Sequence, residues 1–114
     1  MAKISNINKY VEQELISIIS HEVLAIDGVC ELNSKKTMVF NMLIKDESAQ
    51  NPGIKLIRTD DGVKIEIHVN VYYGNNIPEL CYEIQQRVKN KLENEKNTKA
   101  ISVDVSVDGV ITRC

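Results

Sequence analysis

A chain of 114 residues holds one hydrophobic core and not two, and 43% apolar with 26% charged residues is the balance of a folded globular domain. The formal net charge of −2 excludes a strongly basic protein that captures nucleic-acid backbones wholesale. No run approaches the roughly 18 uninterrupted apolar residues needed to span a bilayer, and Met1-Ala2-Lys3-Ile4-Ser5-Asn6 lacks the apolar core of a signal peptide, so a cytoplasmic protein is expected.

The first helix is predicted to start near Asn6 or Asn8, either of which can cap it, and to run to about Ala25. Val11, Leu15, Ile18, Ile19 and Val23 recur at three- and four-residue steps and mark its core face. Ile26-Asp27-Gly28 closes the helix, because glycine takes the left-handed conformation of a last turn. Val29-Cys30-Glu31-Leu32 then alternates as a short strand.

Residues 33–52 form a variable insert with polar, turn-forming ends and an apolar middle, Met38-Val39-Phe40-Asn41-Met42-Leu43-Ile44. Twenty residues without structure are unusual inside a compact domain, so a short helix or strand is expected there. Two readings of that middle stand side by side. Phe40 and Leu43 complete the core, or Met38, Phe40, Met42 and Leu43 form an adaptable contact surface for a partner.

Residues 54–58 and 63–73 flank Thr59-Asp60-Asp61-Gly62, and Asp-Gly between two strand-like runs signals a hairpin. In the second run Val63, Ile65, Ile67, Val69, Val71 and Tyr73 share one face, and Lys64, Glu66, His68, Asn70 and Tyr72 share the other. Gly74-Asn75-Asn76 breaks the alternation. Asn76 stands three residues before Glu79, the spacing of a reciprocal helix cap, and Pro78 suits a first turn that has no acceptor for its missing N–H. The helix that follows buries Leu80, Ile84, Val88 and Leu92, widened by Ile77 and Cys81, and fades over residues 93–98. A last strand over 100–107 alternates Ile101, Val103, Val105 and Val107 with serine and aspartate. One helix separates it from the long strand, so the simplest connection is a β-α-β crossover that leaves the two parallel.

The fold class is therefore α+β: a two-layer domain in α-β-β-β-α-β order, with a mixed three- to four-stranded sheet and two amphipathic helices on one face.

Chemistry-bearing residues are sparse. Cys30, Cys81 and Cys114 are scattered without metal or disulfide spacing, and Cys30 and Cys81 read as small apolar fillers. His21 and His68 read as solvated surface imidazoles, with no HExxH pattern, so no metal and no cofactor are expected. Asp60-Asp61-Gly62 lacks the ligand spacing of a calcium loop, and no GxSxG, GxGxxG or GxxxxGK[ST] segment occurs. No catalytic residues are assigned, and the chain is not expected to be an enzyme. Gly28, Gly62, Gly74, Asn76, Pro78 and Glu79 take structural roles. Arg87, Lys89, Lys91, Lys96 and Lys99 form a basic end of the second helix, which supplies the alternative reading of a small nucleic-acid-binding α/β module.

Four segments in order carry a resemblance: Ile26-Asp27-Gly28-Val29, Val71-Tyr72-Tyr73-Gly74, Asn76-Ile77-Pro78-Glu79-Leu80 with Ile84-Gln85-Gln86-Arg87-Val88, and residues 101–110. Together they resemble the bacterial alkaline shock protein family, also called the envelope stress response or general stress protein family. The resemblance implies a non-enzymatic, cytoplasmic interaction or scaffold protein that self-associates. It also implies protein partners, among them a membrane-anchor protein that holds some members at the membrane without direct insertion. Members often carry a strand ahead of the first helix, reduced here to Lys3-Ile4-Ser5, and the insert at 33–52 matches no part of the pattern.

Overall fold

The computed structural model describes residues 9–34 and 53–112, with side chains from Glu12 onward in the first helix. Its elements are α1 (Lys9–Leu24), β1 (Val29–Leu32), β2 (Ile54–Thr59), β3 (Gly62–Tyr72), α2 (Ile77–Glu95) and β4 (Ala100–Ile111). The α-β-β-β-α-β order and the two-layer α+β arrangement agree with the sequence pattern.

β3 is the hub of a mixed four-stranded sheet. It pairs antiparallel with β1 and β2 and parallel with β4. β1 and β2 share one edge of β3 and lie end to end along it: Leu32 faces Val69, and Ile54 faces Ile67. His68, the residue between, accepts a hydrogen bond from Asn33 N and donates one from its own N to Gly53 O, both at 2.8 Å. Asn33 and Gly53 thus share the place that one residue would fill in an uninterrupted strand. Among the described residues β1 and β2 together form one edge strand, interrupted opposite His68. Met38, Phe40, Met42 and Leu43, like the cap positions Asn6 and Asn8 and Cys114, lie outside the described residues.

The odd-numbered residues of β3 build the core. Val63, Ile65, Ile67, Val69 and Val71 are sealed beneath Leu15, Ile16, Ile19 and Val23 of α1 and Leu80, Ile84, Val88 and Leu92 of α2. Both helices therefore cover the same face. Each large aliphatic side chain so buried contributes roughly 1.5–3 kcal/mol gross. Two details differ from the periodic pattern. Ile16 is buried and Ile18 only half-buried, because α1 meets both the sheet and α2 and its apolar stripe is wide. Tyr73 is 78% exposed, since β3 ends at Tyr72 and the chain turns away.

The turns follow local chemistry. Asp60 and Asp61 form the two-residue hairpin between Thr59 and Gly62; Thr59 Oγ1 accepts from Asp61 N at 3.2 Å and donates to Gly62 O at 3.0 Å. Gly62 has φ +148°, and a Cβ there would run into the carbonyl oxygen of Lys99. Asn76 caps α2 by accepting from Glu79 N at 3.1 Å, with Pro78 in the first turn. The helix ends at Glu95 and is capped by Lys96, and Asn97 just beyond takes φ +49°. Gly28 and Gly74 also have positive φ, at the ends of α1 and β3.

Candidate interaction site

Three surfaces collect the residues that chemistry or contact would use. The first is the sheet face away from the helices. Here the structure overturns the expectation of a solvated His68: the residue is only 5% exposed. Its Nδ1 lies 2.9 Å from Asp108 Oδ2 and its Nε2 lies 2.9 Å from Glu66 Oε2. Ser106 Oγ donates to Asp108 Oδ1 at 2.6 Å, and Asn70 links Asn33 (3.2 Å) to Glu31 (2.8 Å). Alternation placed His68 on the polar face correctly. What alternation does not carry is the parallel register, which brings Asp108 of β4 across to it from forty residues away.

That cluster holds a serine, a histidine and two acids, but in the wrong order for nucleophilic catalysis. A catalytic hydroxyl must bond to a ring nitrogen that takes its proton. Here Ser106 bonds to the acid, and carboxylates face both ring nitrogens. The arrangement ties β3 to β4 beside the place where the edge strand opens. Among the described residues no group of three or more His, Cys, Asp or Glu side chains is placed to hold a metal ion.

The second surface is the basic end of α2. Arg87 Nε lies 3.2 Å from Glu22 and Arg87 Nη1 3.6 Å from Glu83. Lys91 pairs with Glu95, which holds its amine above the ordinary value mainly through their hydrogen bond, and it lies 3.9 Å from Glu22. Lys96 pairs with Glu14 of α1. Three of the five cations are thus spent on carboxylates, largely in fastening α2 to α1; Lys89 and Lys99 form no ion pair among the described residues. Arg87 and Lys91 line a shallow depression with Glu22, Asn90, Asn94 and Glu95, where the acids offset the charge. A phosphate backbone would have to displace these pairs.

The third surface is the outer edge of β4; strand edges are expected contact surfaces, but the sequence pattern does not single out β4 as one. Among the described residues β4 pairs with β3 alone. It extends to Ile111, beyond the alternating run, and carries two register skips, one between Ala100 and Ser102 and one between Val107 and Gly109. Between them, 102–107 is regular. Val63 N donates to Lys99 O and Tyr73 N to Ile111 O, so odd-numbered residues of β3 face β4. In a parallel ladder such a residue bonds to the two neighbours of its partner. Ile65 and Ile67, opposite Val103 and Val105, therefore use the backbone of Ser102, Asp104 and Ser106. The N–H and C=O groups of Val103, Val105 and Val107 point outward. Their side chains lie half-buried at the margin of the core, and Gln85 of α2 reaches over to donate to Val103 O at 2.9 Å. Alternation marks these valines as one face but cannot say that, among the described residues, no strand lies beyond them.

The comparisons with known proteins join this geometry to a family. The model of the alkaline shock protein 23 family, whose description is a cell envelope-related function, matches residues 3–112. The chain belongs to that family. Its function is accordingly cell envelope-related. The family member is also 28% identical over 89 residues to Spy1614 of Streptococcus pyogenes serotype M6, itself uncharacterized, a match that covers 78% of this chain and 72% of that protein. No solved structure matches the chain. Among the described residues no helix is long and apolar enough to cross a membrane.

Proposed function

We propose that this family member is a non-enzymatic scaffold of the cell-envelope stress response, acting through self-association and through protein partners, one of them a membrane-anchored protein that recruits it from the cytoplasm. The family's envelope-related description supports the setting. One observation supports the mode of action: a regular strand edge whose outward N–H and C=O groups and half-buried valines have no neighbouring strand among the described residues. Such an edge is a template for another chain. His68, Glu66, Asp108 and Ser106 on the sheet face are, by contrast, tied to one another, which leaves that cluster little for catalysis to use.

Sedimentation velocity over a concentration series, with affinity capture from a native cell extract, tests this reading. Self-association together with a specific co-purifying envelope protein supports it; a strict monomer that captures nothing refutes it. The nucleic-acid reading draws less support, because Arg87, Lys91 and Lys96 are already paired. Titration with single- and double-stranded RNA at two salt concentrations separates the two, since phosphate binding falls steeply with salt.

A further inference from the structure

Three residues of β4 turn their backbone outward, and their sequence context restricts what can pair with them. We propose that this edge pairs antiparallel with the same edge of a second copy, about a two-fold axis at Val105. The inference rests on the self-association proposed above and deepens it by naming the surface and the register.

The hydrogen-bond phase comes first. Outward-facing residues must meet outward-facing residues, so only Val103, Val105 and Val107 of each copy can form the bonded pairs. With the axis at Val105, Val105 meets its own counterpart and Val103 meets Val107 of the other copy. All three outward N–H groups of both chains then find acceptors, six bonds in all. Gln85 already donates to Val103 O, and a carbonyl oxygen accepts a second donor. Moving the axis to Val103 sets Val105 against Ile101, inside a register skip, and Val107 against Lys99, outside β4; moving it to Val107 sets Val105 against Gly109 and Val103 against Ile111, past the other skip and out of bonding phase.

Charge then separates the remaining registers. On the polar face the regular run carries Ser102, Asp104 and Ser106, with Asp108 just beyond. An axis at Asp104 sets that carboxylate against its own copy, and an axis at Ser106 sets Asp104 against Asp108. Like charges directly opposite destabilise a strand pair. The axis at Val105 places Asp104 opposite Ser106, whose hydroxyl already donates to Asp108, and leaves no acid facing an acid. The strand is thus complementary to itself in one register by both bonding phase and charge.

Packing agrees with that register. Val103, Val105 and Val107 are half-buried on the helix side, and among the described residues no strand lies beyond β4 to cover them. A two-fold axis normal to the sheet puts the helices of both copies on the same side. The valine rows of the two copies then adjoin and cover one another. A second copy is the occupant that meets all three conditions with residues of this chain alone.

Amide exchange read by NMR, alongside sedimentation velocity, tests the proposal on the full chain. The expected result is that the amides of Val103, Val105 and Val107 gain at least about tenfold protection as concentration rises, in step with dimer formation. Cysteine cross-linking reads the register, in a background with Cys30, Cys81 and Cys114 replaced by serine. In a hydrogen-bonded antiparallel pair the two Cα atoms are about 5.5 Å apart, within disulfide reach. Val105→Cys should therefore cross-link to a dimer under mild oxidation. Val103→Cys should not, since its two copies stand about 14 Å apart. A dimer whose three amides stay unprotected overturns this surface while leaving self-association in place. Cross-linking of Val103→Cys in preference to Val105→Cys overturns the register. A monomer at every concentration overturns both this inference and the self-association beneath it, and protection that appears only with a different captured protein overturns the choice of a second copy.

Discussion

Excising the segment between β1 and β2 is the sharpest check on the fold, because β3 already supplies the template for the repaired strand. Leu32 faces Val69 and Ile54 faces Ile67, which leaves His68 as the one residue of β3 between them. Asn33 N and Gly53 O make the two backbone bonds that a single residue opposite His68 would make. Replacing residues 33–53 by one threonine should therefore give a continuous strand in unchanged register, with a β-branched residue suited to an extended conformation. Closing a loop of about 20 residues costs roughly 2–3 kcal/mol of chain entropy, which the excision removes. Against this stand the Asn33–Asn70 hydrogen bond, worth about 1 kcal/mol, and whatever the excised side chains bury. Every member of the described core cluster lies outside the excised stretch, so the core itself survives. The expected outcome is a cooperative melt with Tm unchanged to about 10 °C higher, taking roughly 4–8 °C per kcal/mol for a domain of this size. Differential scanning calorimetry reads the melt, and the amide cross-peaks of β3 read the register. A Tm lower by about 10 °C or more, or loss of cooperativity, would refute the reasoning and assign Phe40 and Leu43 to the core.

Other consequences follow from single contacts. Gly62→Ala puts a methyl group against the Lys99 carbonyl in a backbone conformation that alanine resists; denaturant unfolding should show a loss of about 1–3 kcal/mol. Asn76→Ala removes the oxygen that accepts from Glu79 N and should cost about 1 kcal/mol by the same measurement, with Asn76→Asp close to wild type. His68→Leu leaves Asp108 and Glu66 without their shared partner and should lower stability by about 1–3 kcal/mol; a variant as stable as the parent would show that the cluster contributes nothing net. Burial pushes the Cys81 thiol above its ordinary value of 9.0. The folded chain then holds that proton more tightly than the unfolded chain, so this contribution to stability is full below about pH 9 and is lost as pH rises through the folded value. Urea melts at pH 8 and pH 10 should show the loss, and Cys81→Ala should lessen it.

The residues by themselves determined the elements and the face each one buries. The 3.6-residue stripe of Leu80, Ile84, Val88 and Leu92 and the period-2 run from Val63 to Val71 each state locally which side is apolar, and burial follows that statement closely. Turn chemistry at Asp60-Asp61-Gly62 and the Asn76 cap are local too, since their partners lie within three residues. The four family segments were legible for the same reason, each being a short contiguous pattern. Only the tertiary structure decided what depends on pairing between distant strands. Alternation cannot tell that β1 and β2 are halves of one edge strand, that Asp108 and Glu66 close over His68, or that Glu22 and Glu14 of α1 take up the charge of Arg87, Lys91 and Lys96. Nor can it tell an edge from a centre. Val103, Val105 and Val107 read as core by pattern, yet their backbone lies on the side of β4 that no other described strand covers, because strand order is set by register across the sheet and not by the period along the chain.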